Sequence, residues 1–205
     1  MELDGLYHIA VLFPELKVSK DWEQYAIRRL HEEKKIQVYP DGAQVELTTG
    51  YHGVSLENFL QVYPFAKLNH KTLPDGYISG LESMYTYYLN ICMPDGRYPA
   101  LNDASWGSAR QKLKEGYSYF PERKDYLYVA TSGKEGVKTS FTSAWMPSAG
   151  WDSMRSGWAP LALHSHCKVS PYGPAHHHED KLSIVLASYG KRLLTEGATY
   201  AYDAS

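Results

Sequence analysis

Histidines and carboxylates cluster near the end of this 205-residue sequence. Residues 176–180 are three histidines, a glutamate and an aspartate, and Glu196 follows 18 residues after His178. Side chains alternate along an extended strand, so His176 and His178 would point one way and His177 the other. Two imidazoles and a carboxylate suit zinc or a similar divalent ion. A solvated polar loop that happens to be rich in histidine explains the same residues equally well.

The segments around this cluster have the pattern of strands. Residues 161–168 alternate in polarity with a period of two, which is typical of a half-buried strand. Gly190 joins two further runs that can fold back as a hairpin and bring Glu196 near the histidines. The predicted strands are 139–146, 151–156, 161–168, 182–189 and 191–195.

The first 120 residues have the pattern of helices separated by turns. Apolar side chains recur every three or four residues, as on one face of a helix. The tripeptide Pro-Asp-Gly occurs three times, at 40–42, 74–76 and 94–96, and favours tight turns. The predicted helices are 19–35, 55–68, 77–93 and 104–117.

Helices first and strands afterwards predict an α+β fold with two layers or subdomains. We place a helical part at 1–120, a polar linker or exposed hairpin at 121–138, and an antiparallel β part at 139–205. About five strands are few for a closed sandwich, and the N-terminal part likewise holds only about four helices, which suggests a piece of a larger protein.

The charge and composition of the sequence limit the classes of molecule that the protein is expected to bind. The net charge of −2 gives no general attraction to nucleic acid or to an anionic membrane, and no apolar run approaches the length of a membrane span. Eighteen tyrosines and five tryptophans suit a carbohydrate site, although they also fill cores. The N-terminus has no signal-peptide pattern, and two cysteines leave the redox compartment undecided. Homo-oligomerisation is left open.

Several stretches together resemble the heparinase II/III-like polysaccharide lyases. They are DGAQVELTTGYH at 41–52, MRSGW at 154–158, PYGPAHHHEDKLS at 171–183 and LLTEGATY at 193–200. The resemblance implies an incomplete α/α toroid, then antiparallel β-sandwich layers, with a cleft between them. It also implies cleavage of a uronate-containing acidic polysaccharide by β-elimination, and a periplasmic or secreted location for the parent protein.

The resemblance also implies roles for individual residues. His52, Tyr98 and His176 are the expected catalytic residues, and His178 and Glu196 the expected ligands of a structural zinc or similar ion. The family's third ligand, a later histidine, has no counterpart before Ser205. The expected substrate-binding residues are Gln44, Glu46, Trp106 and Arg155.

Some of these assignments have competing interpretations. The family prefers aspartate at the position of Glu196, and Trp106 lies closer than Tyr98 to the expected site of the catalytic tyrosine. His52 fits a core or capping histidine as well, and Arg155 fits a strand-surface charge. Two other functions also stay open, a non-catalytic carbohydrate-binding module and a cupin-like metalloenzyme. The spacing of Glu179 and Glu196 from the histidines argues against the cupin.

Overall fold

A computed structural model describes residues 2–179 and 181–199, and these form helices followed by a sheet. The α+β prediction is confirmed. The helices are α1 (Glu2–Leu12), α2 (Ser19–Gln37), α3 (Thr49–Leu60), α4 (Val62–Leu68), α5 (Tyr77–Ile91), α6 (Ala109–Tyr119) and α7 (Lys124–Ala130). The strands are β1 (Arg97–Tyr98), β2 (Gly107–Ser108), β3 (Ala144–Met146), β4 (Trp151–Arg155), β5 (His164–Lys168), β6 (Ser183–Ser188) and β7 (Lys191–Leu194).

The predicted helices all form, with shifted ends. The segment predicted as one helix from 55 to 68 is two, α3 and α4, and α3 begins six residues earlier than predicted, at Thr49. Pro64 falls in the first turn of α4, where the missing N–H removes no intrahelical bond. Helix α5 lies at the centre of the helical part, because most of its apolar and tyrosine side chains are buried.

Strands β3 to β7 form one antiparallel sheet in sequence order, and β1 and β2 form a separate short ribbon. Trp151 of β4 is opposite Lys168 of β5, and Arg155 is opposite His164. Alternate residues of these strands are buried, so one face packs against the helices. The other face carries exposed apolar side chains such as Met154 and Ile184.

The Pro-Asp-Gly segments are turns, as predicted. Gly42 and Gly76 have φ of 87° and 76°, in the left-handed region that glycine adopts without a steric penalty. The first turn also joins the two layers, because Asp41 Oδ2 accepts hydrogen bonds from the backbone N–H groups of Ser148 (2.8 Å) and Ala149 (2.9 Å).

Two helices were not predicted from the sequence. Helix α1 buries Tyr7 and packs against α2, and α7 lies inside the segment 121–138 that was expected to be a linker or hairpin. Tyr126 of α7 is fully buried, so this segment belongs partly to the helical layer. The proposed domain boundaries otherwise stay predictions. No helix within 2–179 and 181–199 is long and apolar enough to cross a bilayer.

Candidate functional site

The loop between β1 and β2 brings the helical part and the sheet together at Asn102. This residue has a positive φ of 58°, and its side-chain amide donates to the backbone carbonyl of Leu47. Its backbone N–H donates to Glu196 Oε1 at 2.9 Å, and its Oδ1 accepts from the buried Lys168 ammonium. One asparagine therefore fixes the start of α3, the end of β5 and the segment after β7.

Asp103, the next residue, contacts two histidines with one carboxylate. Its Oδ2 lies 3.3 Å from His176 Nδ1, and its Oδ1 lies 2.9 Å from His178 Nε2. The backbone closes the same contact, because the N–H of Asp103 donates to the carbonyl of His176 at 3.2 Å. Thr48 in turn donates its hydroxyl to the Asp103 carbonyl at 3.0 Å. Asp103 is thus held by Thr48 from the helical part and by the two histidines from the β part.

His176 is fixed on one edge and one face of its ring. The ring stacks on Tyr51 of α3, with centroids 3.8 Å apart and planes inclined by 14°. Its side chain is 32% exposed, and within the described residues no hydrogen-bond partner reaches Nε2. Because Nδ1 faces Asp103, the exposed nitrogen is available to exchange a proton with a ligand.

His178 and Glu196, the predicted metal ligands, are neighbours. His178 Nδ1 lies 3.5 Å from Glu196 Oε1, close to the roughly 3.3 Å that separates two donors on a tetrahedral zinc ion. The pair therefore fits one edge of a zinc site. The described residues contain no group of three or more histidine, cysteine or acidic side chains that could hold a metal ion. A structural zinc needs four ligands, so this donor set is incomplete.

A surface cavity of about 420 Å³ opens beside this cluster. It is lined by Tyr172, His177, His178, Glu179 and Lys181. The mixture of an aromatic ring, hydrogen-bonding groups and both charge signs suits a polar ligand such as a sugar.

His52 lies in the interior and does not face His176 across a groove. It is completely buried, its Nε2 is 3.0 Å from the Met84 carbonyl, and its ring packs on Tyr87 and Tyr88. Burial lowers the pKa of His52 to about 3, so the imidazole is neutral. This structure gives the predicted catalytic histidine no access to substrate, and its contacts are those of a core residue.

Tyr98 is half-buried and lies on the helical side. Its ring is near Tyr88, and its hydroxyl packs against the backbone of Gly107 on the paired strand β2. Burial raises its pKa. The structure does not bring its hydroxyl into the Asp103 and His176 cluster by any contact among the described residues, and its catalytic role stays a prediction.

The remaining predicted substrate contacts differ in exposure. Gln44 is buried, and its Oε1 accepts from the N–H of Glu46 at 3.0 Å, so it shapes the turn before α3. Glu46 is half-exposed, and its carbonyl is next to Gly173 in the histidine segment. Trp106 is half-buried, and the guanidinium of Arg192 lies 4.2 Å from its ring centre, so one ring face is covered.

Arg155 is a buried connector between the layers, and its contacts do not fit the expected role in substrate binding. Its guanidinium donates to the backbone carbonyls of Thr142 (2.8 Å), Asn90 (2.5 Å) and Cys92 (3.1 Å). It also stacks on Trp158 at 4.4 Å. Burial lowers its pKa to about 10. The alternation of strand β4 explains the difference, because Arg155 shares the inward face with Trp151 and Ser153.

Sequence reasoning missed three members of the cluster, namely Tyr51, Asn102 and Asp103. Tyr51 lies in the stretch 41–52 that carries the family resemblance, but it was assigned no role. The partners of the other two are distant along the chain, since Glu196 comes 94 positions after Asn102 and His178 comes 75 positions after Asp103. Periodicity reports only neighbours within an element, so it gives no signal for such contacts.

Comparison with known proteins gives a consistent result. The family model described as Heparinase II/III N-terminus matches residues 1–128, more than half of the chain. A heparin-sulfate lyase of Pedobacter heparinus is 32% identical over 198 residues, covering 94% of this chain and 30% of that protein. The heparin-sulfate lyase of Bacteroides stercoris is 28% identical, covering 98% of this chain and 31% of that protein.

A solved structure agrees in three dimensions. The crystal structure of heparan sulfate lyase HepC from Pedobacter heparinus superimposes with a TM-score of 0.90 and 30% identity, over 100% of this chain and 33% of that one. The chain therefore spans about a third of the length of the relatives it matches.

Proposed function

Because this chain belongs to the heparinase II/III family, we propose that it forms part of a polysaccharide lyase that cleaves a uronate-containing polymer by β-elimination. The relatives named above are heparin-sulfate and heparan sulfate lyases, which makes sulfated glycosaminoglycans the first substrates to test. The predicted periplasmic or secreted location belongs to the same proposal.

The observation that carries this proposal is the state of His176. Its ring is held by Tyr51 and Asp103, and its second nitrogen is exposed. β-Elimination needs a base for the proton α to the uronate carboxylate and an acid for the departing glycosidic oxygen. A fixed and partly exposed imidazole next to the cavity-lining His177 and His178 in the sequence supplies one of these proton-transfer groups.

The charge that develops on the uronate carboxylate needs a positive partner. Lys181 lines the cavity beside His178 and is a suitable donor, while Glu179 on the same rim opposes it. Tyr98 is retained in the proposal as the acid that protonates the departing glycosidic oxygen. Glu46 and Trp106 are retained as residues that contact the substrate. Arg155, Gln44 and His52 are assigned supporting roles in the fold.

Metal binding is a separate part of the proposal. His178 and Glu196 would supply two donors to a zinc ion, which would brace the sheet beside the groove. The described residues do not complete the ligand set, so no step of the reaction is assigned to a metal. Metal content measured by mass spectrometry should fall in a His178→Ala variant, and an unchanged content would contradict the assignment.

The lyase proposal is tested by ultraviolet absorbance of the unsaturated uronate product. The full-length protein is incubated with heparan sulfate, alginate and a glucuronan, and His176→Gln is compared with His70→Gln. His70 is exposed and lies in the loop after α4, away from the cluster, so its replacement serves as the matched control. Product from the wild type and the control, with loss in His176→Gln, is expected. No product from the wild type on any polymer would refute the proposal.

A non-catalytic carbohydrate-binding protein is the second candidate. It is favoured by the burial of His52 and by the packing of the Tyr98 hydroxyl against Gly107, since neither presents a proton to the exposed cluster. Retention of an oligosaccharide in isothermal titration calorimetry, without any unsaturated product, would select this candidate.

A further inference from the structure

We propose that Asp103 is a positioning residue that keeps the proton of His176 on Nδ1 and so leaves Nε2 as the base of the elimination. This inference rests on the proposed lyase function and specifies which proton His176 moves. It concerns a residue to which the sequence assigned no role.

The contact geometry favours one tautomer of His176. A carboxylate accepts hydrogen bonds and cannot donate one, so the nitrogen facing Asp103 Oδ2 at 3.3 Å carries the proton. In the neutral ring the other nitrogen then holds a lone pair. That nitrogen, Nε2, is the one without a partner among the described residues. The same division of roles orients histidine bases in enzymes that use a carboxylate–histidine pair.

Asp103 is itself well fixed, which a positioning role requires. Its second carboxylate oxygen contacts His178 Nε2 at 2.9 Å, its backbone carbonyl accepts from Thr48, and its backbone N–H donates to the His176 carbonyl. Its side chain is only 18% exposed. Stacking on Tyr51 restricts tilting of the imidazole, while Asp103 restricts rotation in the plane of the ring. Together they define the direction of the Nε2 lone pair.

His176 and the proposed acid each exchange one proton with the substrate in this step. The C–H bond α to the uronate carboxylate breaks, its proton goes to His176 Nε2, and its electron pair forms the new carbon–carbon double bond. The bond from the β-carbon to the glycosidic oxygen breaks with its electron pair on the oxygen, which takes the hydroxyl proton of Tyr98, and solvent later returns a proton from His176 to the tyrosinate. The resulting imidazolium donates from both nitrogens, with Nδ1 still directed at Asp103, which stabilises the positive charge.

The test compares Asp103→Asn, Asp103→Glu and Asp152→Asn in the full-length protein. Asp152 is a half-buried aspartate on the outward face of β4, so its replacement removes the same charge away from the cluster. In Asp103→Asn we expect kcat to fall about 10²–10⁴-fold while KM changes less than about threefold, because the base loses its correct tautomer. Asp103→Glu should recover part of kcat, and Asp152→Asn should match the wild type.

Imidazole ¹⁵N chemical shifts provide a second measurement that does not depend on activity. The His176 signal, identified by its loss in His176→Gln, should show the proton on Nδ1 in the wild type and a changed tautomer ratio in Asp103→Asn. A proton on Nε2 in the wild type would overturn the inference, including in the case where Asp103→Asn does not fold.

The outcomes separate this inference from the lyase function. An active wild type with kcat unchanged in Asp103→Asn would overturn the role of Asp103 and leave the lyase proposal standing. An inactive wild type with the Nδ1 tautomer would support the contact and refute the lyase. A fall in kcat with the tautomer shift supports both.

Discussion

Replacing Arg155 with methionine tests whether this residue connects the layers or binds substrate. Its guanidinium satisfies three backbone carbonyls, two at the end of α5 and one in the segment before β3, and stacks on Trp158. Methionine fills much of the same space but donates no hydrogen bond. We therefore expect a loss of stability without a specific loss of substrate binding.

The size of the effect follows from the groups left without a donor. A buried carbonyl that loses its partner costs about 1–3 kcal/mol, and the stacking adds about 0.5–1 kcal/mol. Removing a desolvated charge offsets part of this, because burial already lowers the pKa of Arg155 to about 10. Taking the low end for each carbonyl, the free energy of unfolding should fall by about 2–4 kcal/mol.

Urea unfolding followed by circular dichroism measures this change. Arg155→Lys is the matched variant, since a single ammonium keeps the charge but cannot reach three separated carbonyls, and an intermediate loss is expected. A loss below about 1 kcal/mol in Arg155→Met, together with a raised KM, would refute the connector role and restore the predicted role in substrate binding.

Three further predictions concern the core and the turns. Burial lowers the pKa of His164 to about 3, so the unfolded state binds more protons between about pH 6.5 and 3 and stability falls as the pH decreases through that window. His164→Met should reduce this slope by up to about 1.4 kcal/mol per pH unit in unfolding titrations, and an unchanged slope would contradict the shift. Gly42→Ala should cost more than about 2 kcal/mol because the new Cβ would lie 2.1 Å from the Ser83 carbonyl oxygen, whereas Gly76→Ala, with open space at a similar φ, should cost only about 1 kcal/mol. Equal losses in thermal unfolding would show that the contact is unimportant. His52→Phe should lower the free energy of unfolding by about 1–2 kcal/mol through the Met84 carbonyl and retain any lyase activity, and complete loss of product in a folded variant would return His52 to the catalytic set.

The sequence was sufficient for most of the elements because their signals are local. The alternation of the predicted strand 161–168 contains β5, and the apolar face of the predicted helix 77–93 contains α5. His52 shows where such a signal was available but not used. It is four residues before the buried Leu56 and seven before the buried Phe59, so the helical spacing already places it on the inward face.

The site could be predicted only in part, because its geometry depends on long-range contacts. His176 and Glu196 were identified as chemically competent residues, and the structure places both beside the same loop. The sequence did not indicate that Asn102 and Asp103 form that loop. Asparagine and aspartate are common in ordinary turns, so the positive φ of Asn102 is compatible with many other loops. Only the packing of the two layers determines which side chains meet there.

The attachment of the sheet to the helical part restricts how the two layers can move relative to each other. Arg155 fixes one end of the strand pair β4–β5 to the end of α5, and Lys168 fixes the opposite end through Asn102. The two anchors are separated by four residues, about 13 Å along the strands. A hinge motion that opened one end of the strand pair would therefore have to break the contacts at that end while the other end stayed attached. Accommodation of a bulky polymer by such a motion would cost the hydrogen bonds of Arg155 or of Lys168.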